Sequence, residues 1–443
     1  MKLLRSLYVN NRFFQATGLL IALFVASFIF PAILIVPKIL FLMLVSASIA
    51  DIIVLYRVKK GIHCVRFVPE KLSNGDENEI RIFIENFYRF PVRLNVIDEI
   101  PHQFQRRDIN FEVRLAPRTT STIRYNLRPV KRGEYHFGVV NVFARTPLGL
   151  FRRRFKTSGD VMVPVYPSFI QMRKYELLAI SDQLLESGIK KIRRLGHNME
   201  FEQIKEYVSG DDFRTINWKA TARKSSLMVN HYQDERSQQV YSLIDKGRVM
   251  QMPFNGMSLL DYAINASLVI SNIAIRKSDK AGIITFQDKI GSTLAAGKQG
   301  KQMTQIMEVL YNQKTAFRES DFSLLFTHVR RRITQRSLLL LFTNFESIFG
   351  LQRQLPFIRR LAHQHLVVVI FFENTEIARI AEEPARSLRD IYHKTIAEKF
   401  RYEKKLIVKE LSRAGVQALL TSPERLTVDT INKYLELKAR GMI

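Results

Sequence analysis

Two almost uninterrupted apolar runs, residues 13–30 and 39–56, open the hydrophobic pattern of the chain. Each is close to the roughly 20 residues that an α-helix needs to cross a bilayer. Pro31, Pro37 and Lys38 lie between them, so the pair predicts a tight transmembrane hairpin. Lys2, Arg5 and Arg12 precede the first run and Arg57, Lys59 and Lys60 follow the second, whereas the connecting turn carries only Lys38. The positive-inside rule then places both ends, and everything after Lys60, in the cytoplasm. A signal peptide is the competing reading of the first run, but no small-x-small cleavage site precedes the second, which would act as a stop-transfer segment. Asp51 lies inside the second run, where a carboxylate is costly; it is expected to reach the headgroups or to pair with a nearby cation.

From Gly61 to about Pro167 the pattern becomes short alternating runs broken by turn residues. Ile80, Ile82 and Ile84 share one face of a strand over 79–85, and Ser73-Asn-Gly-Asp76 before it reads as a hairpin turn. Further strands are expected over 92–97, 111–115, 120–127, 135–144 and 161–166. This spacing predicts a small β-sandwich of immunoglobulin-like character. Arg152, Arg153, Arg154 and Lys156 read as a basic strand edge that discourages stray pairing. Their closeness to the membrane offers a second reading, contact with anionic headgroups, where each cation contributes about 1 kcal/mol. A mostly helical, basic linker follows over 169–197, with Lys190, Lys191, Arg193 and Arg194 as a solvated cluster.

After Gln239 the pattern alternates between apolar strands and helices. Strands are expected at 239–245, 281–286, 337–342, 366–372 and 416–420, and helices at 259–275, 301–311, 322–333, 351–362 and 391–412. Strands apolar on both faces, alternating with helices, specify a parallel sheet covered by helices. The organisation is therefore a hairpin anchor (1–60), a β domain (61–168), a linker and signature segment (169–238) and an α/β domain (239–443). Such sheets carry ligand sites at the carboxyl ends of their strands, where Asp245 and Asn344 fall.

The stretch from Glu206 to Arg223 holds the single tryptophan, a Gly210-Asp211 turn and three cations. Phe213, Ile216, Trp218, Ala220 and Ala222 supply apolar surface, and Arg214, Lys219 and Arg223 can reach back to Glu206, Asp211 or Asp212. One reading is an internal ion-pair network around a half-buried tryptophan. The sharper one is a binding surface for an acidic partner, with Asp211, Arg214, Trp218 and Arg223 as its candidate residues.

This run, with Leu227, Val229, Tyr232 and Glu235 ahead of the strand ending in Asp245, resembles the signature of the domain-of-unknown-function family 58, membrane proteins of bacteria and archaea. The resemblance extends to the paired apolar segments, the β domain and a von Willebrand factor A-like C-terminal region. It implies a place in the bacterial cytoplasmic membrane and, as partners, a MoxR-type AAA+ ATPase with other membrane or envelope proteins. In von Willebrand factor A domains the crevice holds a divalent metal on Asp-x-Ser-x-Ser, a threonine and a second aspartate. Here the first loop reads Asp245-Lys-Gly-Arg-Val249, Ser320 stands at the threonine position and Asn344 at the second aspartate. One carboxylate, two neutral oxygens and the adjacent Lys246 and Arg248 make a poor magnesium site. The expectation is a degenerate site without tightly bound metal or other cofactor, in which Asp245 pairs with Lys246, Arg248 or a cation of the signature segment.

Charge and composition narrow the function classes. Lys+Arg of 68 against Asp+Glu of 41 gives a formal net charge of +27, which attracts polyanions. One cysteine, Cys64, excludes an intrachain disulfide and any multi-cysteine metal site. No phosphate loop of the Gly-x-x-x-x-Gly-Lys-Ser/Thr type occurs. A hydrolase would have to use Asp245 or Asp211 with His197, His231 or His328, none of which lies in a motif with a nucleophile. Nucleic-acid binding is prompted by charge alone, without aromatic interleaving or a groove-reading helix. The reading favoured is a non-enzymatic, membrane-anchored interaction protein with neither a nucleic-acid partner nor a small-molecule substrate.

Overall fold

Strand β1 (Leu7–Val9) leads into helices α1 (Asn11–Ile29) and α2 (Ile35–Tyr56), both long and apolar enough to cross a membrane. The structure is a computed structural model that describes residues 6–106, 109–157, 159–180, 200–209, 211, 213–233, 237–315 and 317–442. Most apolar side chains of both helices face outward. Pro31 begins the short turn between them, and Pro37 lies in the first turn of α2, where its missing N–H leaves no hydrogen bond unmade. The chain divides into two compact units, 1–166 and 167–443, and the hairpin belongs to the first.

After the hairpin, the described residues of the first unit form strands and one 3-10 turn (His102–Phe104): β2 (Ile62–Phe67), β3 (Leu72–Ser73), β4 (Asn78–Asn86), β5 (Val92–Asp98), β6 (Asn110–Leu115), β7 (Thr120–Leu127), β8 (Gly133–Phe137), β9 (Val140–Arg145), β10 (Phe151–Thr157) and β11 (Val161–Tyr166). They form sheets of order β1-β10-β9-β5-β6, β2-β4-β7 and β3-β11-β8. Alternation decides which side chains go inside. Ile82 and Ile84 of β4 pack with Leu94 and Val96 of β5 and Val142 of β9, while Ile80 joins Tyr135 and Phe137 in a second cluster. The Ser73–Asp76 stretch does turn, with Gly75 at φ 80°, but it forms no hairpin, because β3 pairs with β11. A buried ion pair crosses the core: Arg66 Nη1 lies 2.5 Å from Asp98 Oδ1, and Tyr125 donates to the other carboxylate oxygen. Desolvation raises the Asp98 pKa, opposed by Arg66 and the Tyr125 hydroxyl.

Two expectations about this unit are corrected. Over Arg152–Arg154 the basic stretch is not a sheet edge, since β10 pairs there with β1 and Ser6 on one side and with β9 on the other, whereas the register with β1 does not reach Lys156. Arg153 instead donates to the carbonyls of Leu55, Val58 and Lys59 and lies over the Tyr56 ring, so it fastens the end of α2 to the sheet. Asp51 does not reach outward, and among the described residues it pairs with no cation. It is fully buried and accepts from the backbone N–H groups of Leu150 (3.0 Å) and Phe151 (2.9 Å) and from the Thr146 hydroxyl. The pattern of the run could not reveal partners about a hundred residues away.

The second unit begins with α3 (Phe169–Ile180), the described part of the predicted helical linker; Lys190, Lys191, Arg193 and Arg194 lie outside the described residues. A two-stranded antiparallel sheet follows, β12 (Glu200–Glu206) with β13 (Met228–Gln233), enclosing helix α4 (Trp218–Lys224). Then come β14 (Gln239–Asp245), the short hairpin β15 (Pro253–Phe254) and β16 (Met257–Ser258), α5 (Leu259–Arg276), β17 (Lys280–Phe286), β18 (Ile290–Gly297), α6 (Gln302–Tyr311) and α7 (Phe322–Arg332). The chain finishes with β19 (Leu338–Phe342), α8 (Ile348–Gln364), β20 (Leu366–Phe372), α9 (Thr375–Glu382), α10 (Leu388–Arg413), β21 (Gln417–Thr421) and α11 (Leu426–Ala439).

These strands form a six-stranded sheet of order β18-β17-β14-β19-β20-β21, parallel except for β18. The expected alternation is present, but β18 and α9 were not anticipated. β18 alternates half-buried and exposed positions and lacks the apolar run that marks a central parallel strand. Leu340 and Ile370 pack on one face with α5, α6 and α11, while Leu339 and Val369 pack on the other with α7, α8 and α10. α5 is buried along nearly its whole length and starts at a Ser258/Asp261 capping box. From β14, successive connections run first to β17 on one side and later to β19 on the other. The sheet therefore splits at the carboxyl ends of β14 and β19, the place where open α/β sheets form a crevice.

Candidate functional site

Asp245 closes β14 at that split and is wholly buried. Its carboxylate accepts from three neutral donors: the Gly247 backbone N–H at 2.7 Å, the Thr343 hydroxyl at 2.6 Å and the Ser320 hydroxyl. No cation is bonded to it among the described residues, which corrects the expected pairing with Lys246, Arg248 or a cation of the signature segment. Burial pushes its pKa up, and the hydroxyl and backbone donors oppose that rise. The turn must be glycine at 247, because a Cβ there would run into Ser320 Oγ and stand 3.0 Å from Asp245 Oδ1.

Ser320 thus meets Asp245 as its position implied, but Asn344 does not. The Asn344 side-chain oxygen accepts from Lys404 Nζ at 2.7 Å, and that amine also donates to the Phe345 carbonyl at 2.6 Å. Thr343, one residue earlier and not anticipated, points at Asp245 in its place. Residues at a strand's end alternate in direction, so a shift of one residue exchanges which of two neighbours faces the carboxylate. Burial lowers the Lys404 pKa to about 8, against the pull of Glu346 and Glu373. Lys246 is lowered by burial too, with Asp288 acting in the opposite sense.

The crevice beside Asp245 encloses about 430 Å³ and is lined in part by Ser320, Thr343, Asn344, Phe349 and Arg353. Phe349 is largely exposed at its rim. Glu319 bridges Arg353 at 3.2 Å and Arg248 at 3.7 Å. Both pairs are exposed, and such pairs contribute little stability. Arg248 therefore borders the crevice without entering the carboxylate's hydrogen-bond set.

The Glu206–Arg223 segment is arranged differently from a half-buried tryptophan in an ion-pair network. Trp218 is 71% exposed and Phe213 70% exposed. Asp211 pairs with Lys205 at 3.1 Å and accepts from the Val208 N–H, closing the turn. Lys219 and Arg223 make no ion pair among the described residues, and the Arg214 side chain and Asp212 lie outside them. Asn217 caps α4 through the Ala220 N–H and bonds Asn230 at 2.8 Å, which fixes the helix on β13. The result is a small sheet with an outward apolar patch of Val208, Phe213, Trp218 and Leu227. No hydrogen bond or ion pair among the described residues joins this patch to Asp245, Ser320, Thr343 or Asn344.

Chemically, the crevice offers an occupied carboxylate and hydroxyls already committed to it. His328 lies with its Nε2 3.0 Å from the Thr293 hydroxyl, and burial followed by Arg332 lowers its pKa. His197 and the His231 side chain lie outside the described residues. Among the described residues no group of three or more His, Cys, Asp or Glu is placed to hold a metal ion. Of the carboxylates lining the crevice, Asp245 is engaged by two hydroxyls and a backbone N–H and Glu319 by Arg248 and Arg353, and with Glu346 they form no cluster that fits a hard divalent cation.

A family described as "Protein of unknown function DUF58" matches residues 203–390. The "Uncharacterized protein YeaD" of Bacillus subtilis (strain 168) is 28% identical over 203 residues, which is 44% of this chain and 50% of that protein. The chain thus spans about half the length of this curated relative. Among solved structures, a conserved hypothetical protein BatB from Bacteroides thetaiotaomicron is similar over 46% of this chain and 100% of its own, at 13% identity and a TM-score of 0.32. The CARDB domain of a Pyrococcus furiosus protein is similar over 24% of this chain and 93% of its own, at 13% identity and a TM-score of 0.17.

Proposed function

We propose that this chain is a membrane-anchored, non-enzymatic interaction protein whose soluble units, an immunoglobulin-like β module and a von Willebrand factor A-like α/β domain, work in the cytoplasm. The observation that carries the reading is Asp245. In the crevice where such a sheet places its ligand chemistry, the carboxylate is engaged by Gly247, Ser320 and Thr343. The two hydroxyls beside it, Ser320 and Thr343, are held as donors to a buried carboxylate, and no histidine is bonded to this set among the described residues, so we read the group as structural. The crevice is thus a degenerate metal site that serves as a shaped surface.

The second element is the exposed Trp218 patch. Large aromatic side chains flanked by cations are enriched at the energetic centres of interfaces. Trp218 and Phe213, with Lys219 and Arg223 nearby in sequence, suit an acidic protein surface. The partner class we assign is a MoxR-type AAA+ ATPase, acting in assembly or maturation of a membrane or envelope complex. The test is recovery of partners from native membranes in mild detergent, comparing wild type with W218A/R223A and with D245A/N344A. Loss of an AAA+ ATPase with either variant supports the reading and locates the contact. Equal recovery by both removes these two surfaces from it, and absence of any ATPase from the wild-type sample refutes the partner class.

A further inference from the structure

Between β9 and β10 the chain turns through Thr146-Pro-Leu-Gly-Leu-Phe151, and both helices of the hairpin hold that turn. From α2, Asp51 takes the N–H groups of Leu150 and Phe151 and the Thr146 hydroxyl. From the start of α1, the Asn10 side chain donates to the Gly149 carbonyl at 2.7 Å, its backbone N–H to Leu150 at 3.0 Å, and Arg12 to the Leu148 carbonyl at 3.2 Å. In the turn, these bonds take up the Leu148, Gly149 and Leu150 carbonyls, the Leu150 and Phe151 N–H groups and the Thr146 hydroxyl. What it shows outward is carbon: Leu148 is 54% exposed. Leu148 and Leu150 close an apolar groove of about 300 Å³ whose other walls include Ala16 and Leu20 of α1 and Met43 and Ala47 of α2.

Depth follows from the helix. Asp51 lies one to two turns inside the end of α2 at Tyr56, about 7–8 Å along the axis at 1.5 Å per residue. A turn bonded to that carboxylate is therefore drawn below the level at which the helix ends. Exposed leucines and an open apolar groove at that depth are unfavourable in water and favourable against lipid. Arg12 is exposed at the start of α1 and holds further N–H donors beyond its bond to Leu148, which an anionic headgroup could accept.

Taking α1 and α2 as membrane-spanning, on which this inference rests, we infer that the Thr146–Phe151 turn penetrates the bilayer interface and that the groove it closes receives an acyl chain of a phospholipid. The β module is then seated in the membrane by its own turn and is not merely tethered to it. Asp51 acts as the internal fastening.

The test uses the full chain in nanodiscs of phosphatidylcholine with or without bromines on the acyl chains, and a bimane label at L148C, L42C or D160C. Cys64 is 3% exposed and its thiol is pushed up to about 11, so it stays unlabelled, with wild type as the control. Leu42 lies in mid-helix, and Asp160 is exposed beyond the opposite end of β10 from the turn. Bromine quenching at L148C within about twofold of that at L42C, with none at D160C, is expected for a turn at the acyl boundary. Quenching at L148C as weak as at D160C, while L42C is quenched, overturns the inference and leaves the anchor intact. Absence of quenching at L42C overturns the membrane-spanning premise and the inference with it. Disulfide capture of a second copy by unlabelled L148C, with no lipid quenching, would assign the groove to self-association and overturn the lipid assignment. Adding D51A to L148C is expected to reduce quenching there by at least about twofold without changing L42C. Unchanged quenching would remove Asp51 from the fastening.

Discussion

Replacing Asp245 separates a structural carboxylate from one that exists to hold a metal. In D245A, three donors lose their acceptor: the Gly247 N–H, which has no other described partner, and the Ser320 and Thr343 hydroxyls, which can rotate. A stranded buried donor costs about 1–3 kcal/mol, and hydroxyls free to turn cost less. Removing a buried charge recovers part of its desolvation penalty. The balance is a loss of about 3 kcal/mol, roughly a 150-fold increase in the opening constant of β14 at 1.4 kcal/mol per decade. In D245N the amide oxygen keeps accepting from Gly247 and Ser320, and the amide NH₂ donates to Thr343, whose hydroxyl also accepts. That variant is predicted to lose about 1 kcal/mol, or about fivefold. Hydrogen-exchange mass spectrometry on the full-length chain, following peptides across β14 and the start of β19, measures both. Equal damage in D245N and D245A would refute the reasoning, because it would mean that the negative charge itself is required. Slower exchange of the wild type in millimolar magnesium or manganese would refute it from the other side.

Four further outcomes follow from the same geometry. Isothermal titration of wild type with magnesium or manganese is expected to show no micromolar site, since a single carboxylate already accepting three hydrogen bonds supplies too few oxygens for a six-coordinate cation. D98A leaves the Arg66 guanidinium buried and uncompensated and is expected to destabilise the β module by about 3–5 kcal/mol, read as a lower urea midpoint. Lys404 has a folded pKa of about 8 against 10.5 when unfolded, so between those values the unfolded chain binds more protons. Stability should therefore rise as pH increases from about 8 toward 10, and K404M should flatten that slope in urea titrations at the two pH values. Trp218, the single tryptophan and exposed, should be readily quenched by iodide; partner binding should protect it, and unchanged quenching in a stable complex would remove it from the interface.

Much of this architecture is written locally. The apolar runs are long enough to state the hairpin, and the alternation of Ile80, Ile82 and Ile84 states an inward strand face. The fully apolar Leu338–Phe342 and Leu366–Phe372 state strands covered on both sides, because each pattern needs only its own residues to be read. Asp245 was also legible from the strand end it closes, and Ser320 from the resemblance to von Willebrand factor A domains.

Tertiary structure decided what those groups meet. Whether Thr343 or Asn344 faces Asp245 depends on the register of β19 against β14. The interior place of β10 depends on β1, a three-residue strand too short to announce itself. Trp218 faces outward because α4 is fixed on β13 by Asn217, an orientation that composition does not contain. Asp51 reads as an isolated liability until the chain returns, about a hundred residues later, with the N–H groups that satisfy it. Local pattern determines which elements form and which face is apolar; it does not determine the partners of a buried polar group, since hydrogen bonds between distant segments exist only once the fold has brought them together.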